Sequence, residues 1–321
     1  MNPLLQAING IRFFTGFVPS FSAAGHRVRA LAFDPVAPDF RGQRWLVTGA
    51  STGLGRALTI AAARAGAEVT VAARSPPGLA TLAAEAGVAP ERIRMHALDL
   101  SLRASNDRLA DAVLSEASHL DVLVNNIGVL PAAPATTPEG LDAAFATNLL
   151  GPWHLTERLR SGGALRAGSC VITMSSGGLY NVPLSISRLQ RQDHYDGVLA
   201  YAFHKRAQLA VNHHWRRDAD GVDYYVMHPG WARTPGVERS LPLFNGVLGP
   251  LLRTPKEGID TALWLATRRP GQPTIEGIWF DRALRSEHLL WGTRGGPDEA
   301  ELLTALRAAE RQARTEARPA A

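Results

Sequence analysis

The sequence predicts a doubly wound α/β fold, a parallel sheet with helices on both faces. Three observations carry that expectation. Short apolar runs alternate with longer amphipathic ones along most of the chain. Asp121-Val122-Leu123-Val124 is almost continuously apolar, as a strand buried on both faces should be. A glycine-rich turn separates the first such strand from the first such helix.

Residues 1–40 read as a helical, amphipathic extension. Leu4, Ile8, Ile11, Phe14 and Phe17 recur at helical spacing, thickened by Phe13 and Val18. The expectation is a helix folded against its own domain. The alternative is a peripheral membrane foot over residues 1–30, with Arg27 and Arg29 facing lipid headgroups. Gly10 and Arg12 interrupt the run and no positive charge precedes it, which argues against a secretory signal. No stretch approaches the ~18 apolar residues of a spanning helix, so a cytoplasmic location is expected, with membrane association as the variant.

Residues 41–285 read as the dinucleotide-binding domain. Strands are expected at 45–48, 69–71, 92–95, 121–124, 169–173, 222–227 and 278–280. Helices are expected at 53–66, 102–118, 137–160, 199–219 and 257–267. Proline and glycine thicken over 229–255, which reads as a loop-rich lobe. Residues 286–321 form a charged helical tail.

Composition narrows the function. The chain has 321 residues, 45% hydrophobic and 20% charged, which excludes general disorder. Cys170 has no cysteine to pair with and lies in an apolar strand, so it is expected buried and inert in a reducing compartment. Two of the 34 basic residues are lysines, Lys205 and Lys256; the rest are arginines scattered among 29 acids. The net charge of +5 therefore reads as a solvated surface, and no nucleic-acid partner is expected. His213 and His214 face different directions on a helix with no ligand-spaced acid or cysteine, so no metal is expected.

Thr48-Gly49-Ala50-Ser51-Thr52-Gly53-Leu54-Gly55 follows the first strand and opens the first helix. Glycines let the backbone turn sharply and approach a pyrophosphate, whose charge the helix N-terminus favours. The turn thus makes the fold Rossmann-like. At the end of the second strand Ala73 is followed by Arg74, with no carboxylate to hold ribose hydroxyls. A guanidinium can pair with a 2′-phosphate, which predicts NADP over NAD.

Tyr201 and Lys205 stand four apart and share a helix face. With five tyrosines and two lysines, chance gives such a pair in about 3% of shuffled chains, so the pair carries information. An ammonium beside a phenol favours the phenolate and brings it towards working pH.

Together these residues resemble the single-domain branch of the short-chain dehydrogenase/reductase family, over roughly residues 43–285. The resemblance rests on the glycine turn at 48–55, Asp99-Leu100 after the third strand and Asn125-Asn126-Ile127-Gly128 after the fourth. It continues through Asn148, Ser175-Ser176, Tyr201 with Lys205, and Pro229-Gly230-Trp231 followed by Thr234. It implies Tyr201 as general acid in carbonyl reduction and base in alcohol oxidation, with Ser176 on the substrate oxygen. Lys205 would lower the tyrosine pKa and bind the nicotinamide ribose, and Asn148 would hold a water in a relay to Lys205. Gly49, Ser51, Thr52, Gly53, Leu54, Gly55, Arg74, Asp99, Leu100, Asn125, Gly128, Pro229, Gly230, Trp231 and Thr234 would bind cofactor. Thr234 would fix the carboxamide, while Asp99 and Asn125 would lie along the adenosine half.

Departures sharpen the expectations. Ile127 stands where the family usually has alanine and should crowd the turn beside the cofactor. His204 replaces the common serine and reads as a helix-surface histidine rather than a substrate contact. The stretch from Ser176 to Tyr201 is longer than in compact members, and 184–196 should lie over the substrate side. Leu179, Tyr180, Trp231 and Leu241 offer hydrophobic surface for an apolar carbonyl or alcohol, unless they are simply core. The implied activity is NAD(P)-dependent hydride transfer. The alternative is an NADP-binding, membrane-docked or regulatory protein with little turnover. Relatives pair through the two long helices, here 137–160 and 199–219, so a homodimer or tetramer is expected.

Overall fold

The computed structural model describes residues 16–74, 79, 81–116, 119–190, 193–240, 245–246, 248–271, 276–290 and 292–316. Leu4, Ile8, Ile11, Phe13, Phe14 and Leu241 lie outside these. One eight-stranded sheet organises the chain: β1 Arg44–Thr48, β2 Glu68–Ala73, β3 Ile93–Ala97, β4 Val122–Asn125, β5 Cys170–Met174, β6 Asp223–Met227, β7 Ile278–Phe280 and β8 Ala283–Arg285. The spatial order is β3-β2-β1-β4-β5-β6-β7-β8, parallel throughout except for the final antiparallel pair.

Helices cover both faces. Among the described residues, those of eight residues or more are α1 Ala23–Ala30, α2 Gly53–Arg64, α3 Arg103–Glu116, a long run here called α4, α5 Gly197–Arg217, α6 Pro255–Arg268 and α7 Glu299–Glu316. The run α4 consists of Ala143–Phe145, a π-helical stretch Ala146–Leu150 and Gly151–Ser161. Alternate strand residues feed two cores. Leu46, Leu123, Val171 and Tyr224 pack with α3, α4 and α5, while Val47, Val124, Ile172 and Met227 pack with α2 and α6. Order reverses between β1 and β4, so the chain leaves these neighbours in opposite directions and opens a crevice at their carboxyl ends.

The seven expected strands are present to within a residue or two. The helix expected from residue 137 begins at 143, because Asp142 caps it by accepting from the Phe145 amide at 2.7 Å. Thr136 and Asp142 instead form an antiparallel bridge. Strand β8 was not expected. It returns through Asp281 and Arg282, both with left-handed backbone (φ 48° and 58°), the pairing that a two-residue hairpin turn demands.

The described part of the leader docks on the domain. Phe17 and Phe21 join Leu179, Tyr180, Leu209, Ile278 and Phe280 in a third core cluster. Leu179 and Tyr180 are thereby core, the alternative to their reading as substrate-facing surface. Arg29 pairs with buried Asp281 rather than facing outwards, and exposed Arg27 pairs with Glu257 at 2.8 Å. Among the described residues no helix is long and apolar enough to cross a membrane.

The tail has a definite place. Leu302, Leu306 and Ala313 of α7 are fully buried and belong to the same core as α4 and α5. At the edge of that contact Glu310 meets His154 of α4 at 3.2 Å. The helix thus covers part of the surface through which α4 and α5 were expected to meet another subunit.

Leu306→Ala should lower unfolding free energy by about 2–5 kcal/mol, read from urea melts. Removing residues 297–321 should expose apolar surface on α4 and α5 and make the protein associate in light scattering. Unchanged stability in the first variant would show that α7 contributes no core.

Candidate active site

The carboxyl ends of the strands gather the predicted motifs. The turn after β1 is held to the turn after β4 by two residues. Thr48 Oγ1 donates to Val124 O and accepts from the Asn126 amide, both at 3.1 Å. Asn126 Nδ2 donates to Thr48 O at 2.9 Å and Gly49 O at 3.3 Å. At Gly55 an added Cβ would lie 2.4 Å from Gly49 O and 2.5 Å from Asn126 Nδ2, so close packing demands glycine there. Gly49 has φ of +72°, and its missing Cβ is where Ile127 Cγ1 approaches, as the crowding expected of Ile127 requires.

Helix α2 starts at Gly53, and the side chain of its N-cap Thr52 makes no capping hydrogen bond. The first amides of α2 therefore lack that partner, and they favour an anion. Thr234 lies against this turn, with its Cγ2 3.1 Å from where a Gly53 Cβ would be. These contacts bring Gly49, Gly53, Gly55 and Thr234 together, with Ser51 partly buried and Thr52 exposed beside them. Arg74 is exposed at the end of β2.

Other predicted residues make contacts within the fold. Leu54 packs on Gly258 of α6. Leu100 is core, and its carbonyl lies against Gly151 of α4. Asn125 is buried, with Nδ2 donating to Thr156 Oγ1 at 3.0 Å. Asp99 Oδ1 accepts from the amide and hydroxyl of Ser101. Gly230, with φ of +74°, lies against the Arg253 guanidinium, and its amide donates to His228 Nδ1 at 2.6 Å. The Trp231 amide donates to Phe21 O at 2.9 Å, tying the Pro229-Gly230-Trp231 loop to the leader.

Ser176, Tyr201 and Lys205 come together over Gly128. A Cβ at Gly128 would lie 3.4 Å from both Lys205 Nζ and Tyr201 Cε2, so glycine leaves this approach open. Burial pushes the Tyr201 phenol up to about 12, and a hydrogen bond with Ser176 works against it. Lys205 is 1% exposed, and burial brings its ammonium down to about 7. Its Nζ lies 5.4 Å from the Tyr201 ring centroid. It donates to Met174 O at 2.8 Å and to Gln208 Oε1 at 3.1 Å.

Asn148 sits in the π-helical stretch of α4. Its Oδ1 accepts from the Val129 amide at 2.7 Å and its Nδ2 donates to Val129 O at 2.9 Å. Its main-chain oxygen accepts from Gln208 Nε2 at 2.5 Å. His204 corrects an expectation, because it is fully buried rather than on the helix surface. Residues 202–209 of α5 are all buried, so this stretch has no surface face. His204 Nε2 lies 2.8 Å from Leu189 O and Nδ1 3.3 Å from Asn148 Nδ2. An acceptor at one nitrogen and a donor at the other select the neutral Nε2–H tautomer. Leu189 belongs to the segment expected over the substrate side. Its residues 186–190 and Asp193 line a cleft of about 530 Å³ together with Phe145 and Ala305.

Sequence reasoning missed Gln208, His228 and Asn126. Asn126 stood within a quoted motif and His228 directly before Pro229-Gly230, whereas nothing in the spacing marked Gln208. The fold also gives His213 acidic neighbours, correcting the reading that none accompanies it. Its Nδ1 lies 3.7 Å from Glu276 and 3.9 Å from Glu299, and its Nε2 lies 3.3 Å from Glu287. Arg217 pairs with Glu299, placing a cation among these acids. Cys170 is buried and its thiol pushed up to about 12, in keeping with an inert side chain.

Comparison with known proteins places the chain in a family. A family model described as short chain dehydrogenase matches residues 43–187. Dehydrogenase/reductase SDR family member 12 of Bos taurus is 35% identical over 269 residues, covering 82% of this chain and 84% of that protein. Retinol dehydrogenase 14 of Mus musculus is 30% identical, covering 74% and 76%. A solved short chain dehydrogenase from Shigella flexneri 2a, complexed with NADP, shares the fold with a TM-score of 0.57 and 23% identity. It covers 72% of this chain and 94% of that one.

Burial keeps His204 neutral down to about 4, and His213 and His228 down to about 3. In the unfolded chain they protonate near 6.5. The unfolded state therefore binds more protons between pH 4 and 6.5, and stability is lost as pH falls through that window. Glu287, raised to about 7 by burial, has the opposite sign and offsets one histidine between pH 4.5 and 7. His288, also held down to about 4 by burial, adds to the histidine side, so the net slope near pH 5.5 is positive, with stability falling as pH drops. Urea midpoints that stay flat from pH 6.5 to 4.5 would contradict this.

Proposed function

Because this chain belongs to the short-chain dehydrogenase/reductase family and is an oxidoreductase of that type, we propose that it interconverts a carbonyl and an alcohol with NADP(H). The observation that carries the reading is the meeting of Ser176, Tyr201 and Lys205 over Gly128, at the carboxyl edge of the sheet. The residues present fit a nicotinamide dinucleotide. The glycine turn opens α2 without a side-chain cap, and Gly128 leaves room above Tyr201 and Lys205.

When bound, such a cofactor supplies or accepts the hydride. The proton is this chain's task. Tyr201, kept protonated by its burial, would give its phenolic proton to the substrate oxygen during reduction and recover it during oxidation. Ser176 would hydrogen-bond the same oxygen as charge develops on it. Lys205 would favour the phenolate left behind. Asn148 would hold the loop at Val129, next to Gly128.

Arg74 supports NADP over NAD, since it is exposed at the end of β2 where a 2′-phosphate would be met. The solved Shigella flexneri relative is complexed with NADP. An apolar substrate is supported by the retinol dehydrogenase relative and by the partly exposed Trp231 near the site.

A screen of NADPH oxidation over aldehydes, ketones, steroids and lipid carbonyls tests this reading. Tyr201→Phe should keep NADPH binding and lose at least about 100-fold in kcat. Activity near wild type would remove Tyr201 from the chemistry. Binding in both proteins with turnover in neither would favour a binding or regulatory role. Arg74→Ala should raise KM for NADPH about tenfold or more while leaving NADH unchanged. Equal values for the two cofactors in the parent would remove the NADP preference.

A further inference from the structure

The buried glutamine of α5 stands between two groups that the proposed chemistry needs. Gln208 Oε1 accepts from Lys205 Nζ at 3.1 Å, and its Nε2 donates to the main-chain oxygen of Asn148 at 2.5 Å. The amide cannot reverse without turning its NH2 on an ammonium and its oxygen on a carbonyl, so its orientation is set by its two neighbours. The Asn148 oxygen is an acceptor with a reason to be there. It lies in the π-helical stretch Ala146–Leu150, where widening to i→i+5 bonding shifts carbonyls off the regular ladder. An acceptor in such a stretch calls for an outside donor when buried.

Lys205 is committed in the same way. Met174 O and Gln208 Oε1 take two of its three N–H bonds. The remaining one is left for the side of Gly128 and Tyr201, where a Cβ on Gly128 would lie 3.4 Å from Nζ.

We infer that Gln208 is a positioning residue, whose side-chain amide aims the Lys205 ammonium and locks it to the carbonyl of Asn148. This rests on the catalytic reading of Tyr201 and Lys205 but goes beyond it. The oxygen of Gln208 stabilises the ammonium against the cost of burial. Met174 O does the same from β5. Among the described residues, the other titratable groups facing Lys205 are Tyr201 and His204, both on α5, with Asp142 acting on His204 from the start of α4. None of these is an anion in contact with Nζ, so the two oxygens carry the task.

The chain's two lysines make the test direct. Protein labelled with 13C at lysine Cε should give two titrating signals, with Lys256→Arg identifying the exposed one. Gln208→Met, similar in length but without a strong acceptor, should lower the Lys205 midpoint by about one pH unit. Gln208→Glu should raise it. The high-pH limb of kcat/KM should move in the same directions, and kcat of the Met variant should fall about tenfold or more. In the unmutated protein, the Gln208 side-chain NH2 signals should shift with the Lys205 midpoint, a reading that needs no variant to fold.

Folded variants with the parent midpoint and pH profile would overturn the inference. So would a Gln208 amide that does not respond to Lys205. Tyr201→Phe in the same assay separates the two levels. Full activity in it would sink the catalytic reading, while the lysine titration in cofactor-free protein still judges Gln208.

Discussion

A single buried carboxylate joins three distant parts of the chain. Asp281 sits at the turn between β7 and β8 and is 3% exposed. Arg253 meets both its oxygens, at 2.6 and 3.0 Å, and His26 and Arg29 of α1 close on the same group. Burial alone would raise this carboxyl, but these partners hold it far below the usual carboxylate range. Arg253 also donates to Phe21 O and Ser22 O of the leader and lies against Gly230. Breaking a buried pair by removing one partner costs about 3–5 kcal/mol, because the other charge is left without compensation. Here the loss would also free the Pro229-Gly230 loop, whose continuation reaches Gly53 through Thr234.

The same low-dielectric setting governs Tyr201 and Lys205, the pair proposed to react. Desolvation moves the Tyr201 phenol up and the Lys205 ammonium down, so burial favours the neutral form of both. An unsupported ammonium at this depth would give up its proton. The acceptors from β5 and from Gln208 are therefore part of what lets a lysine stay charged beside a tyrosine in the proposed chemistry. Once charged, that lysine acts on the phenol through little solvent, where a charge counts for more than it does in water. Helix α5 can hold this arrangement because residues 202–209 are buried on every side, which leaves its turns little freedom.

How much of this could be read from the chain depends on whether a feature is local. Strands appeared as short apolar runs, and Tyr201 with Lys205 appeared because their spacing is that of one helical turn. The glycine turn was legible for the same reason. Strand β8 was not, because Asp281-Arg282 replaces the usual asparagine-glycine of such a turn, and its left-handed backbone accompanies contacts with residues 26, 29 and 253. His204 was misread because a histidine at helical spacing looks exposed until α5 is known to be enclosed. Gln208 gave no pattern at all, since its role lies in what α4 places opposite it. The false start of α4 had a local signal that was passed over: Pro138 and Gly140 precede Asp142, a good N-cap.

The leader and the tail then take on a common logic. A helix carrying reactive groups can be enclosed by a second subunit or by its own chain. Here α7 supplies Leu302, Leu306 and Ala313 to the core beneath α4 and α5, while Phe17 and Phe21 fill the cluster containing Leu209 and Tyr180. Both additions bury apolar area on elements that hold site residues, α5 above all. Among the described residues, neither brings a group to the proposed reacting centre. Their contribution is that the positions of Tyr201, Lys205 and Gln208 are fixed by packing within one chain. A chain reduced to residues 41–285 would lose the packing of Phe17, Phe21 and α7 and so leave α5 partly uncovered.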